Sequence, residues 1–162
     1  MKRIIVNKLN QFLSIFNISI SKAGFDMLGR LKLLKKEKIQ FNSVIDIGAS
    51  NGKWSVEALN LFHNSKIIAI EPLIEREPSL KKLKNKFKNF DYVLTVAGDG
   101  TQNNIELSVT EDLDGSTISG NKGETRIVPS KSIDQIVIEK ELKAPFFLKF
   151  DTHGFETSIL NG

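Results

Sequence analysis

The 162-residue chain contains no cysteine. That absence excludes a disulfide framework and any zinc site built on thiolates, and it is compatible with a reducing compartment. A run of about 20 apolar residues, the length that crosses a bilayer, is missing as well. So are internal repeats and linker-like stretches, which leaves no boundary within the body of the chain. Met1-Lys2-Arg3-Ile4-Ile5-Val6 begins as a secretory signal does, basic and then apolar. Asn7, Lys8, Asn10 and Gln11 interrupt it, however, and no small-residue cleavage site follows. Residues 1–20 therefore read as a short amphipathic leader and residues 21–162 as one domain, with a cytoplasmic location and no membrane span.

What is present is ordinary for a globular protein: 40% hydrophobic and 26% charged residues. A chain of this size buries about 70% of its unfolded surface, enough for a core. The net charge of +4 comes largely from lysine. Lys81, Lys82, Lys84, Lys86 and Lys88 form a run whose one interleaved aromatic, Phe87, belongs to the apolar side of the helix, so the aromatic interleaving that single-stranded nucleic acid would stack on is lacking. The run reads as a solvated helix face, and no nucleic-acid partner is expected.

Periodicity places the elements. Phe25, Leu28, Leu31 and Leu34 recur at helical spacing between Ser21 and about Lys38. Val44 to Ile47 is an apolar strand, Asn51 to about Phe62 a helix, and Lys66 to Ile70 a second strand. Pro78 suits the first turn of a helix whose apolar side is Leu80, Leu83 and Phe87. A third strand is expected over Tyr92–Ala97, then a turn at Gly98-Asp99-Gly100. Ile105, Leu107 and Val109 alternate with polar residues, and Arg126–Val128 is positioned to pair back as a hairpin across a polar loop, Glu111–Thr125. A short helix from Ser132 to about Lys140 precedes a fourth core strand, Phe146–Phe150. This alternation predicts an α/β fold: a doubly wound, mostly parallel sheet with helices on both faces and a small antiparallel hairpin insertion. Ligands of such sheets bind beyond the C-terminal strand ends. Asp46 to Gly52, Glu71, Asp99 and Asp151 all fall at or just after such ends, so one crevice is expected to gather them.

The loop after the first strand narrows the ligand. A P-loop needs four residues between its first glycine and Gly-Lys, then Ser or Thr. Here Ala49, Ser50 and Asn51 separate Gly48 from Gly52, and Trp54 follows Lys53. A dinucleotide fingerprint needs Gly-x-Gly-x-x-Gly, and Ser50 and Lys53 stand at its second and third glycine positions. S-adenosyl-L-methionine (SAM) remains, because it has no pyrophosphate to cradle. Glu71, at the end of the second strand, suits hydrogen bonds from ribose hydroxyls; its alternative is a strand-end acid facing water.

Val44-Ile45-Asp46-Ile47-Gly48-Ala49-Ser50-Asn51-Gly52, then Ile70-Glu71-Pro72, then Phe147-Leu148-Lys149-Phe150-Asp151-Thr152-His153-Gly154-Phe155-Glu156 closely resemble the FkbM family of SAM-dependent methyltransferases. Asp114-Gly115-Ser116-Thr117-Ile118-Ser119 looks like the family's Ser-rich loop, and the resemblance runs from about Phe25 to the end. It implies a Rossmann-like sheet of the class I methyltransferase type, with SAM as cofactor. Cofactor contacts are then expected from Asp46, Gly48, Ala49, Ser50, Asn51, Gly52, Glu71, Pro72, Ala97 and Asp99. Asp151, His153 and Glu156 are the candidates for catalysis. His153 suits a base because histidine titrates near neutrality, but a local hydrogen-bonding role competes with it. For Glu156 the competing reading is an acid favoured at a helix N-terminus. His63 reads as a capping or solvent residue, and no metal site is expected.

The resemblance further implies an oxygen acceptor on a sugar, polysaccharide or small natural product. Cytosine C5 methylation would need a cysteine, and Asp151-Thr152-His153-Gly154 replaces the Asp/Asn-Pro-Pro-Tyr of amino-methylating nucleic-acid enzymes. Methyltransferases of this class carry seven core strands, so a fragment lacking three later strands is expected. The fourth strand would then be an edge open to self-association. A non-catalytic SAM-binding remnant stays open as an alternative, and a nicotinamide-dependent oxidoreductase as a weaker one.

Overall fold

The computed structural model describes residues 27–118, 123–152 and 154–162. The chain divides into two compact units, 1–39 and 40–162. Of the first, residues 27–39 are described; the expected division at 20/21 lies outside the described residues. They hold helix α1, Met27–Lys36, with Lys35 and Lys36 in its last turn, where cations favour the helix dipole. The Ile39 amide closes that end by donating to Leu34 O at 3.1 Å.

The second unit holds the functional part. Its main sheet has the order β3-β2-β1-β7, all parallel, from Phe90–Val93, Lys66–Ile70, Ser43–Ile47 and Phe146–Phe150 respectively. Every residue of β1 is buried, as expected of a parallel strand covered on both faces. Alternation along the strands sorts the two faces. Ile45, Ile47, Ile68 and Ile70 join one cluster with Ile133 and Ile136 of α4 (Ile133–Glu139), Leu142, and Ile159 of α5 (Glu156–Leu160). Asp46, one residue out of phase, meets Ser55 of α2 (Lys53–Leu61) instead. The fold is thus the doubly wound α/β architecture read from the sequence.

Helix boundaries follow local chemistry. Ser132 caps α4 by accepting from the Gln135 amide at 3.2 Å, while Gln135 Oε1 accepts from the Ser132 amide at 2.9 Å, a reciprocal capping box. Pro78 sits in the first turn of α3, Glu77–Lys86, where its missing N–H costs nothing. The lysines of that helix are exposed, and Lys84 reaches Asp91 at 2.6 Å.

One expected element is divided. Tyr92–Ala97 does not form a single strand: β3 ends at Val93, and β4, Val96–Gly98, belongs to a second sheet of order β4-β6-β5. In that sheet β5, Asn104–Val109, runs antiparallel to β6, Glu124–Ser132, which gives the expected hairpin, while β4 runs parallel to β6. Thr95 is the crossing point. Its amide donates to Glu71 O at 3.2 Å, and its hydroxyl to Pro129 O at 2.9 Å. No glycine, proline or charge marks that point in the sequence, so only the change of partner reveals the break. Among the described residues β7 has a neighbour on one side only, and Phe146 remains 37% exposed.

Gly48 governs how β1 meets β7. Its φ is +72°, and a Cβ there would lie 2.2 Å from the carbonyl oxygen of Asp151. Gly48→Ala should therefore cost at least the roughly 1–2 kcal/mol of a left-handed side-chain-bearing residue, plus the displacement of the β7 end. A urea midpoint equal to wild type would show that the two strand ends need no such approach.

Candidate functional site

A cavity of about 270 Å³ opens at the C-terminal ends of β1, β2 and β7 and beside the start of β4. This is where β1 is flanked by β2, its neighbour in sequence, and by β7, which returns after a long excursion. A switch of that kind is where open α/β sheets bind ligands. Gly48, Ser50, Glu71, Pro72, Ala97 and Asp151 line it, as the sequence reading expected. Its apolar wall comes from Leu107 and Leu113 of the hairpin region, with Ile118, Phe155 and Ile159.

Glu71 is the centre of the polar side. It is 5% exposed, and its Oε2 accepts from the Ser50 amide at 2.7 Å while Oε1 accepts from the Leu73 amide at 3.0 Å. A carboxylate offers about four lone-pair positions, so each oxygen retains acceptor capacity toward the cavity. Burial pushes the Glu71 carboxyl above its ordinary value, against the pull of the two amides and of Arg76.

Most of the loop amides are used internally. Gly48 and Ala49 donate to Ile70 O at 3.0 and 3.1 Å, Gly52 donates to Ala49 O at 2.9 Å, and Lys53 to Asn51 Oδ1 at 3.2 Å. With Ser50 bound to Glu71, this turn has no ring of free N–H groups for a pyrophosphate. Its chemistry fits a nucleoside ligand that carries none.

Several expected site residues do not line the cavity. Asp46 is completely buried on the α2 side, where Ser55 Oγ donates to it at 2.6 Å and Lys149 Nζ lies 2.8 Å away. Burial raises its carboxyl above the ordinary value, opposed by Lys149 and Ser55. Gly52 serves helix packing: at φ +77°, a Cβ would meet Leu83 at 2.5 Å and Leu80 at 3.1 Å. Ala49 is buried, and Asn51 caps Lys53. Asp99 is exposed and accepts from both the amide and the hydroxyl of Thr101, at 2.9 and 2.6 Å. Glu156 accepts from Thr152 Oγ1 at 3.0 Å and from the Gly154 amide at 3.3 Å, so it organises the turn into α5. The expected meeting of four strand-end groups in one crevice is thus narrower: the β1 loop, Glu71 and Asp151 converge, while Asp99 stands apart. His153 lies outside the described residues.

The structure also adds residues. Arg76, in the 3-10 turn Ile74–Arg76, lines the cavity and pairs with Asp114 at 2.6 Å. Asp114 lines it too, and its carboxylate lies 3.5 Å from Ser50 Oγ, so the loop after β5 closes over the rim. Thr152 and Phe155 complete the Asp151 side. Nothing periodic marks Arg76 in a chain rich in cations. His63 sits at the end of α2, with Nδ1 3.3 Å from Leu59 O. Among the described residues, no group of three or more His, Cys, Asp or Glu gathers as a metal cluster would, and no helix is long and apolar enough to cross a membrane.

A family model described as "Methyltransferase FkbM domain" matches residues 46–162. The chain belongs to the FkbM methyltransferase family. The match starts at Asp46 and takes in the Gly48 loop, Glu71, Asp114 and Asp151, and so all the elements around the cavity. The crystal structure of methyltransferase FkbM from Methylobacillus flagellatus KT superposes with a TM-score of 0.51 at 20% identity, over 74% of this chain and 28% of that one. That likeness shows the shared fold, and this FkbM chain spans just over a quarter of that structure's length. A precorrin-6y C5,15-methyltransferase from Geobacter metallireducens GS-15 gives a TM-score of 0.33 at 28% identity, over 47% of this chain and 42% of that one, too loose to bear on the fold. No curated protein matches the chain.

Glu71 and Asp46 predict a pH dependence. Both hold protons more tightly folded than unfolded. From the ordinary carboxylate range up to their raised folded values, the native state binds more protons, so their contribution to stability falls as pH rises through that window. Asp91 works in the opposite sense: burial raises it, but Lys140 and Lys84 outweigh that and hold it low, and its contribution is lost as pH falls. The stability advantage of wild type over Glu71→Gln should therefore shrink as pH climbs from mildly acid toward neutral. Urea titrations across that range check it, and a pH-independent difference would remove the buried, proton-holding role of Glu71.

Proposed function

We propose that this chain carries the cofactor site of a SAM-dependent methyltransferase that methylates a hydroxyl group on a sugar, polysaccharide or small natural product. The observation that carries this reading is the cavity itself, where Glu71 faces a glycine turn most of whose amides are already satisfied. Its charge supports the same choice. Among the described residues, three carboxylates, Glu71, Asp114 and Asp151, line it against one cation, Arg76. A surplus of acids attracts a sulfonium and repels a pyrophosphate.

Bound here, SAM would supply an electrophilic methyl group on a positively charged sulfur. Glu71 has acceptor positions left for ribose hydroxyls, and Pro72, Leu73, Val96 and Ala97 offer an apolar wall beside it. Asp151 lines the cavity with its side chain 56% exposed. There its carboxylate oxygen suits removal of the proton from an acceptor hydroxyl as the new carbon–oxygen bond forms. His153, two residues on, is a second candidate for that proton. The acceptor class rests on the family and on the Asp151-Thr152 sequence at the strand end, which lacks the Asp/Asn-Pro-Pro-Tyr pattern of amino-methylating enzymes.

Calorimetric titration with SAM and with NAD tests the proposal directly. SAM is expected to bind and NAD is not; tight NAD binding without SAM would overturn it. Glu71→Ala should weaken SAM binding by about 1.5–3 kcal/mol, the range for a hydrogen bond to a charged group, and unchanged affinity removes Glu71 from the ribose role. Asp151→Asn should reduce turnover with a hydroxyl acceptor far more than it reduces SAM affinity. If SAM binds but no member of a hydroxyl-acceptor panel is methylated, the chain is a cofactor-binding module without activity of its own.

A further inference from the structure

We propose that Lys149 is a positioning residue for the cofactor turn, holding the Gly48 carbonyl from beneath so that Ser50 meets Glu71 at the cavity rim. This rests on the reading of the cavity as a SAM site. Lys149 lies in the middle of an otherwise apolar strand and is only 6% exposed. Its ammonium has three protons to place. Gly48 O accepts at 2.9 Å, Ile47 O lies at 3.5 Å, Asp46 Oδ1 at 2.8 Å and Asp151 Oδ2 at 3.5 Å. One cation therefore touches the last residue of β1, the first residue of the turn and the acid at the end of β7.

The geometry distinguishes this from simple charge neutralisation. Asp46 alone would be satisfied by any cation on the α2 side of the sheet. The contact with Gly48 is different, because that carbonyl belongs to a residue with φ of +72°, where the chain leaves the strand. The Gly48 and Ala49 amides on the other side of the turn are tied to Ile70 O. With Lys149 on the carbonyl and Ile70 on the amides, the first peptides of the turn are fixed from both neighbouring strands, and Ser50 is delivered to Glu71 at 2.7 Å.

Removing Lys149 alone would strand a buried carboxylate, so the test uses charge-neutral pairs. In D46N/K149Q the side chain keeps an N–H donor toward Gly48; in D46N/K149M it does not. Amide exchange of residues 48–52 in the cofactor-free proteins should be at least tenfold faster in the Met pair, and SAM affinity at least fivefold weaker, with similar melting temperatures. Equal exchange and affinities within twofold would overturn the positioning role. A wild type that fails to bind SAM, while the exchange difference persists, would sink the cofactor reading and leave this inference standing. Should the Met pair not fold, the wild-type protein decides through the nitrogen resonance of the Lys149 ammonium. Protons that exchange at least tenfold more slowly than those of exposed Lys81, with a resonance that shifts when SAM is added, uphold the proposal. Exchange as fast as that of Lys81 overturns it.

Discussion

A single ion pair sets the register on which the site depends. Asp46 and Lys149 are direct partners across β1 and β7, each the one charge within its apolar strand. Side chains alternate faces with a period of two, so a slip of one residue would turn Lys149 away from Asp46 and into the face occupied by Ile45 and Ile47. Two uncompensated buried charges would result, and breaking such a pair costs about 3–5 kcal/mol. An apolar pair in the same places would stabilise the sheet as well or better, but it would tolerate slippage. The charges therefore select one alignment. That alignment brings the Asp151 carbonyl against Gly48, where only hydrogen fits in place of a side chain.

The same economy of polar groups shapes the cavity. Glu71 is buried in a region that favours its protonated form, and its hydrogen bonds oppose that shift without reversing it. It remains useful because two backbone amides, from Ser50 and Leu73, point at its oxygens. Those bonds join the turn after β1 to the segment after β2, so one carboxylate both builds the rim and faces the ligand. A turn with most of its amides consumed this way has few left to cradle a phosphate.

Much of this was legible in the sequence. The parallel strands, the helices between them, the hairpin and the glycine turn all follow from local periodicity and spacing, which the tertiary structure reinforces. Glu71, Gly48, Ser50 and Asp151 were recognisable because each sits where an apolar run stops. Three features were not. The break at Thr95 has no local signature, since Tyr92–Val93 and Val96–Ala97 have equal strand character and differ only in which sheet they join. Asp46 looked like a ligand contact because it neighbours the glycine turn, yet strand alternation directs it to the opposite face from Ile45 and Ile47. Its partner could have been found: two apolar strands carrying one opposite charge each are a signal for cross-strand pairing, though the register is needed to join them. Arg76 and Asp114 are 38 residues apart, and their ion pair exists only because the loop after β5 folds back over the end of β2.

That ion pair shows how the cavity can combine closure with selectivity. Asp114 is 74% exposed at its side chain and Arg76 only 19%, so the pair has one partner in solvent and one at the cavity wall. Pairs exposed in this way contribute on the order of 0–1 kcal/mol, too little to lock the loop over the turn. The apolar side chains beneath it, Leu107, Leu113 and Ile118, hold it more firmly by burying surface against Val96 and Val109. The loop is thus anchored by its apolar residues, while the polar contacts at its tip can exchange partners. A ligand that took over the Arg76 contact would displace a carboxylate that is already 74% exposed, and would do so at little cost. Hydrophobic anchoring and the exposed ion pair thus rest on different residues of one short segment.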